Sequence, residues 1–260
     1  MPSSDFPTLH FKSQGAGAPL VLIHGLFGSL ENLGGIARVL AESATVYSLD
    51  LPNHGRSPHR DSMDLPSMAK DVAQWMAAQG LESARFVGHS LGGKVAMELA
   101  LQEPARVESL VVMDIAPSHY GAHHNDVFAG LHAVALQTLQ SRKDAERIMT
   151  PYVPEPAVRS FLLKNIVRDT QGAFAWRMNL PVIYANYSKL VSANSQGATC
   201  EGGVLFLKGG DSDYIGEKNR EDILSRFPNA KVKVVANTGH WLHAEKPALV
   251  AKLIQQFLDV

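Results

Sequence analysis

The sequence predicts an α/β protein, a mostly parallel, doubly wound sheet interrupted by an inserted helical cap. Three observations carry this. Short apolar runs alternate with helical stretches along most of the chain, the pattern of a parallel sheet covered on both faces. Between His119 and about Ala198 those runs give way to helical segments. Polar residues gather where the runs end, at His24, Asp50, Ser90, Asp114, Asp211, Asp213 and His240. In an open parallel sheet, ligands bind at those strand ends. The expected division is a core from residues 1–117 and 199–260, with a cap at 118–198 inserted into it.

The elements follow in order. Thr8–Lys12 alternates and predicts an edge strand, and Gly15-Ala16-Gly17 a turn. Pro19–Ile23 is apolar throughout and reads as a strand buried on both faces. A helix is expected from Leu33 to Ser43 and a strand over Thr45–Leu49. Ser67 is expected to cap a helix that runs to Gln79 and stops at Gly80. Ala84–Val87 ends the next strand, and Gly93–Leu101 reads as a helix. Val107–Met113 is a further apolar strand. Past Pro117 an all-helical insertion is expected, with helices near Asn125–Leu139, Arg142–Met149, Pro156–Arg168 and Pro181–Ser192. Sheet character returns at Gly203–Lys208, then a helix at Lys218–Arg226 and a last strand at Lys231–Val235. Pro247 opens the final helix, to Leu258.

Composition narrows the function classes. The chain has 260 residues, 45% hydrophobic and 19% charged, with a net charge of −1. That balance gives no electrostatic case for nucleic acid as a partner. No apolar run reaches the ~18 residues of a membrane span, so no stable membrane insertion is expected. Met1–Phe6 lacks the cationic and apolar segments of a secretory signal. Cys200 is the single cysteine and has no internal disulfide partner. A cytoplasmic protein is expected.

Gly88-His89-Ser90-Leu91-Gly92 lies between a strand and a helix. Serine flanked by glycine at minus two and plus two in such a turn is the nucleophile-elbow pattern. The turn is too tight for side chains at Gly88 and Gly92, and it presents the serine oxygen at a helix N-terminus, where negative charge is favoured. A serine hydroxyl needs a base in reach and a third group to orient that base. His240, on a loop freed by Gly239, is the candidate base, since the base follows the serine in elbow enzymes. His89 should pack or orient a loop, and His24 and His54 should make structural hydrogen bonds in their turns. For the acid the residues leave Asp114, Asp211 and Asp213 open, with Asp213 at the commoner location. The oxyanion hole needs two N–H groups. Leu91 should supply one, and the loop opened by His24-Gly25 the other, from Leu26 or Phe27.

Several separated motifs stand in one order: His24–Ser29, Pro52–Ser57, Gly88–Lys94, Asp114–Pro117 and Gly239–Trp241, with Phe174–Leu180 in the insertion. On these the chain resembles the α/β-hydrolase fold over essentially its whole length. More narrowly it is similar to the YbfF-type group of small esterases and acyl-thioesterases. The resemblance implies that Asp114, not Asp213, is the acid. It implies a serine hydrolase cleaving carboxylic esters or thioesters of short- to medium-chain acids through an acyl-enzyme on Ser90, with no metal or organic cofactor. Cofactor-free haloperoxidases and perhydrolases and carbon–carbon bond hydrolases share the same triad, and they stand as the alternative. A non-catalytic binding protein would be expected to have lost Ser90, His240 or the glycine frame. Phe27, His124, Tyr214 and Trp241 are expected near the substrate. So are cap aromatics such as Phe128, Phe161, Trp176, Tyr184 and Tyr187, with Leu131. Where that group carries a cation after the Asp-Ile-Ala-Pro stretch, this chain has His119, His123 and His124.

Overall fold

A computed structural model describes residues 8–259. The reading of Met1–Phe6 lies outside the described residues. The strands are β1 (Phe11–Gln14), β2 (Pro19–Ile23), β3 (Thr45–Leu49), β4 (Ala84–His89), β5 (Val107–Met113), β6 (Ile166–Arg168), β7 (Phe174–Trp176), β8 (Gly203–Gly209) and β9 (Lys231–Val235). The helices are α1 (Gly34–Leu40), α2 (Leu65–Ala78), α3 (Leu91–Gln102), α4 (Asn125–Ala133), α5 (Arg142–Met149), α6 (Pro156–Leu163), α7 (Leu180–Ala185), α8 (Tyr187–Leu190), α9 (Arg220–Arg226), α10 (Leu242–Glu245) and α11 (Pro247–Leu258).

Seven strands form the main sheet in the order β1-β3-β2-β4-β5-β8-β9. Only β1 runs antiparallel, against β3. The strand order reverses direction between β2 and β4, the switch point at which such sheets open a crevice. The four central strands bury their apolar runs on both faces, as Leu20–Ile23 and Leu110–Met113 show. Trp75 and Phe86 on one side and Leu20 and Leu40 on the other are fully buried. Each such side chain contributes about 1.5–3 kcal/mol of burial free energy. That rigid double-sided core is what holds the strand ends in place.

Several boundaries differ from the sequence reading, each for a local reason. The first strand is Phe11–Gln14 rather than Thr8–Lys12, because its register is set by pairing Phe11 with Leu49. Asp64, not Ser67, caps α2. Its side chain accepts from the Ser67 N–H at 2.8 Å, and Ser67 Oγ accepts from the Asp64 N–H at 3.2 Å. Pro66 then sits in the first turn, where its missing N–H costs nothing. The segment between β5 and β8 is not all helical. The helix expected to reach Arg168 stops at Leu163, where Asn165 turns its side-chain amide back onto the Leu162 carbonyl. Ile166–Arg168 then pairs antiparallel with Phe174–Trp176. The helix expected over Asn125–Leu139 ends at Ala133, and the one over Pro181–Ser192 breaks at Asn186.

Candidate active site

β4 delivers the chain into the turn before α3. Ser90 sits there at φ 52°, ψ −119°, a conformation that costs a non-glycine residue about 1–3 kcal/mol. The glycine frame has a steric cause. A Cβ on Gly88 would lie 2.4 Å from the Gly92 carbonyl oxygen, and one on Gly92 would lie 2.3 Å from the Ile23 carbonyl oxygen. Only two residues without side chains let the turn close against β2. Ser90 is tied in place by its N–H donating to the Met113 carbonyl at 3.0 Å. Its side chain is left half-buried, at the open end of α3.

β5 and β8 are neighbours, so Asp114 and the loop after Gly209 meet. Asp114 is wholly buried. Its Oδ1 accepts from the Gly209 N–H at 2.9 Å. Its Oδ2 accepts from Ser212 Oγ and, at 2.8 Å, from His240 Nδ1. Three donors therefore converge on this carboxylate. With Nδ1 donating, Nε2 of His240 is the atom left free to take a proton. Asp213 and Asp211 are exposed and make no hydrogen bond to His240. The structure thus brings Asp114, not Asp213, to the histidine. Ser212 was not singled out by the sequence, since a serine between two aspartates reads as an ordinary loop residue.

His240 is braced from two further sides. The Tyr214 ring stacks on it at 4.1 Å between centroids. His89 donates from Nε2 to the His240 carbonyl at 2.9 Å, which fixes the loop. Burial holds the His89 pKa well below the usual imidazole range, as do neighbouring His243 and His240. His89 therefore serves as a neutral strut, the loop-orienting role its position suggested.

The loop after β2 is held by two more neutral histidines. His24 donates from Nδ1 to the Gly25 carbonyl at 2.8 Å and accepts at Nε2 from the Leu51 N–H at 3.1 Å. His54 donates from Nδ1 to the Pro52 carbonyl at 3.0 Å and accepts at Nε2 from the Phe27 N–H at 3.2 Å. Desolvation lowers both pKa values, that of His54 to about 3. Asp50 completes the frame by accepting from the Leu30 N–H at 2.7 Å and the Arg56 N–H at 2.9 Å. Asn165, from the segment between β5 and β8, donates to the Phe27 carbonyl at 2.8 Å. The consequence concerns the choice between Leu26 and Phe27. The Phe27 N–H is occupied by His54. Among the described residues, the N–H groups of Leu26 and Leu91 carry no hydrogen bond.

Two cavities open on Ser90. The smaller is walled by Leu26, Leu91, Ile115, Tyr120, Tyr187 and Tyr214, with Lys94 on its lining. The larger carries His240, Trp241, Phe27, Val158 and Phe161. His124 lies on both. Its Nδ1 bonds to Tyr187 Oη at 2.6 Å, and burial lowers its pKa to about 4. His119 and His123 are exposed. The expected pocket residues Phe27, His124, Tyr214 and Trp241 all border one cavity or the other. Of the other aromatics, Tyr187 and Phe161 also do so. Phe128 and Leu131 are instead core of the inserted segment, and Tyr184 is 55% exposed.

Comparisons with known proteins bear on the fold and the family. A family model described as the alpha/beta hydrolase fold matches residues 18–247. Esterase YbfF of Escherichia coli is 40% identical to this chain, covering 95% of it and 96% of that protein. The sn-1-specific diacylglycerol lipase ABHD11 of Mus musculus is 36% identical, covering 92% of this chain and 80% of its own length. Among solved structures, a marine microorganism esterase superposes with a TM-score of 0.94 at 37% identity, covering 97% of this chain and all of that one.

Proposed function

This chain belongs to the α/β-hydrolase fold family as an esterase-type hydrolase, and we propose that it cleaves carboxylic esters, thioesters included, through an acyl-enzyme on Ser90. The observation that carries the reading is the contact between the buried Asp114 carboxylate and His240 Nδ1 at 2.8 Å, beside a strained serine that shares a cavity with His240.

His240 Nε2 takes the Ser90 proton as Oγ attacks the acyl carbonyl carbon. The negative charge that forms on the carbonyl oxygen is met by the N–H groups of Leu26 and Leu91. Asp114 keeps the imidazole in its Nδ1–H form and stabilises the imidazolium. The carbon–oxygen or carbon–sulfur bond to the leaving group then breaks, and His240 returns the proton to the departing alcohol or thiol. Water enters along the same path, gives a proton to His240, and releases the acid and free Ser90. The leaving group must lie where His240 can reach it. It therefore occupies the larger cavity, which His240 borders. The acyl group takes the smaller one, which holds Ser90 but not His240.

Residues 118–198 act as the cap over this site, and Asn165 carries its influence to the loop of Leu26. Among the described residues, no helix is long and apolar enough to cross a membrane. Cys200 is buried and free, which fits a cytoplasmic setting.

Labelling with a fluorophosphonate probe, with a Ser90→Ala control, tests the nucleophile. A panel of nitrophenyl esters and acyl thioesters tests the reaction. Labelling that survives in Ser90→Ala, or a wild type inert on every ester and thioester, refutes the reading.

A further inference from the structure

Lys94 has no part in the chemistry above, yet it is only 2% exposed and lines the smaller cavity. A buried lysine requires a reason. Its Nζ donates to the Ser118 carbonyl at 2.8 Å and to the Ser192 carbonyl at 2.7 Å. Those two residues stand where the chain leaves the core for the inserted segment and where it returns. Other bonds close the same junction. Asn194 N–H donates to the Pro117 carbonyl at 2.9 Å, and Tyr120 N–H to the Val191 carbonyl at 2.8 Å. The Asn194 side chain donates to the Lys94 carbonyl at 2.8 Å and to Glu98 at 2.9 Å. The Lys94 amine thus fastens both crossings to the helix that starts at the nucleophile. It also lies 5.2 Å from the Tyr120 ring centroid, on the cavity wall. Burial lowers its pKa to about 7, and its partners are backbone carbonyls that bind the charged or the neutral amine.

We propose that Lys94 is the specificity-determining residue of the acyl cavity, ending it one helical turn from Ser90 and confining the enzyme to short acyl chains. The proposal rests on the esterase reading given above. Lys94 follows Ser90 by four residues, a rise of roughly 6 Å along α3, about the length of a four-carbon chain. A longer chain must displace an amine held by two carbonyls, and with it both crossings of the inserted segment.

The test is a series of nitrophenyl esters from acetyl to decanoyl, read as ratios of kcat/KM between chain lengths. A ratio cancels losses common to all substrates, and opposite shifts in Lys94→Ala and Lys94→Arg separate the length of this side chain from a loosening of the inserted segment, which would move both ratios the same way. Lys94→Ala opens the cavity end and is expected to raise the octanoyl-to-acetyl ratio at least tenfold, each buried methylene being worth roughly fourfold. Lys94→Arg keeps the charge and donors but lengthens the side chain, and it is expected to lower the butyryl-to-acetyl ratio at least fivefold. Circular dichroism checks that each variant folds, and if Lys94→Ala does not, Lys94→Arg decides. An active wild type with ratios unmoved in the folded variants overturns the role of Lys94 alone. A wild type inert on every ester and on acyl thioesters overturns the reading beneath it.

Discussion

Replacing Asp114 by Asn tests the site most directly. The carboxylate accepts three hydrogen bonds and donates none, from Gly209 N–H, Ser212 Oγ and His240 Nδ1. An amide of the same shape still accepts from the Gly209 N–H through its oxygen. Its NH₂ group then faces His240 Nδ1 and Ser212 Oγ. To avoid donor against donor, His240 must shift its proton to Nε2, the atom that has to receive the Ser90 proton. The imidazolium also loses its counter-charge. Together these are expected to lower kcat about 10⁴-fold, equivalent to about 5.5 kcal/mol of transition-state stabilisation, with KM little changed.

The assay is steady-state hydrolysis of a nitrophenyl ester with active-site titration, so that the rate refers to folded enzyme. Asp213→Asn is the matched control. Its carboxylate is exposed and has no bond to His240, and its kcat is expected to stay within about twofold of wild type, as for a surface charge. An Asp114→Asn enzyme that keeps a tenth of wild-type kcat, or an Asp213→Asn enzyme that loses a hundredfold, would refute the argument.

Three further outcomes follow from the same geometry. Ser212→Ala removes one donor from the buried carboxylate and is expected to cost about 1.5–3 kcal/mol in urea unfolding and roughly tenfold in kcat; unchanged values in both would remove Ser212 from the site. Gly92→Ala places a Cβ 2.3 Å from the Ile23 oxygen and is expected to lower Tm by about 6–12 °C through overpacking of about 3 kcal/mol; a normal Tm contradicts the steric account of the elbow. Burial lowers the pKa of His54 to about 3 and those of His124 and His243 to about 4. These rings stay neutral in the folded state at pH 5.5, while the unfolded chain, with pKa near 6.5, takes up the protons. Stability is therefore full above that value and falls as the pH drops below it, by about 1.4 kcal/mol for each ring between pH 7.5 and 5.5, or about 4 kcal/mol for the three. Urea midpoints that coincide at the two pH values would show that these rings are not held neutral.

The parts of the site legible in the sequence are those whose constraint is local. Gly88, Ser90 and Gly92 belong to one turn, so the steric demand that selects them is written within five residues. His240 follows its strand directly in a glycine-freed loop. The acid was not legible from the residues alone, because its contact with His240 spans 126 positions and depends on β5 lying beside β8. Asp114 and Asp213 are both strand-end aspartates, and only the folded loops separate the buried one, which accepts from Gly209, Ser212 and His240, from the exposed one. The β6–β7 hairpin escaped notice because strands of three residues are too short to develop a period. Lys94 escaped because its partners are backbone carbonyls, which leave no mark on side-chain identity.

The histidines follow a division of labour that the strand-end pattern concealed. His24, His54 and His89 each donate one ring N–H to a backbone carbonyl. In the first two, the other nitrogen accepts from a backbone N–H of a neighbouring loop. That arrangement works only for a neutral ring, and desolvation keeps the rings neutral. Its product is selection among backbone donors. His54 takes the Phe27 N–H out of use, at a residue already turned to φ 60°. Among the described residues the adjacent Leu26 N–H is left without a partner, as is that of Leu91, which is what the proposed oxyanion hole requires. On the proposed mechanism Ser90, His240 and Asp114 form the reacting set, and His24, Asp50, His54 and His89 form a supporting set whose work is to fix where the N–H groups are free, while Asp211 and Asp213 stand exposed outside both.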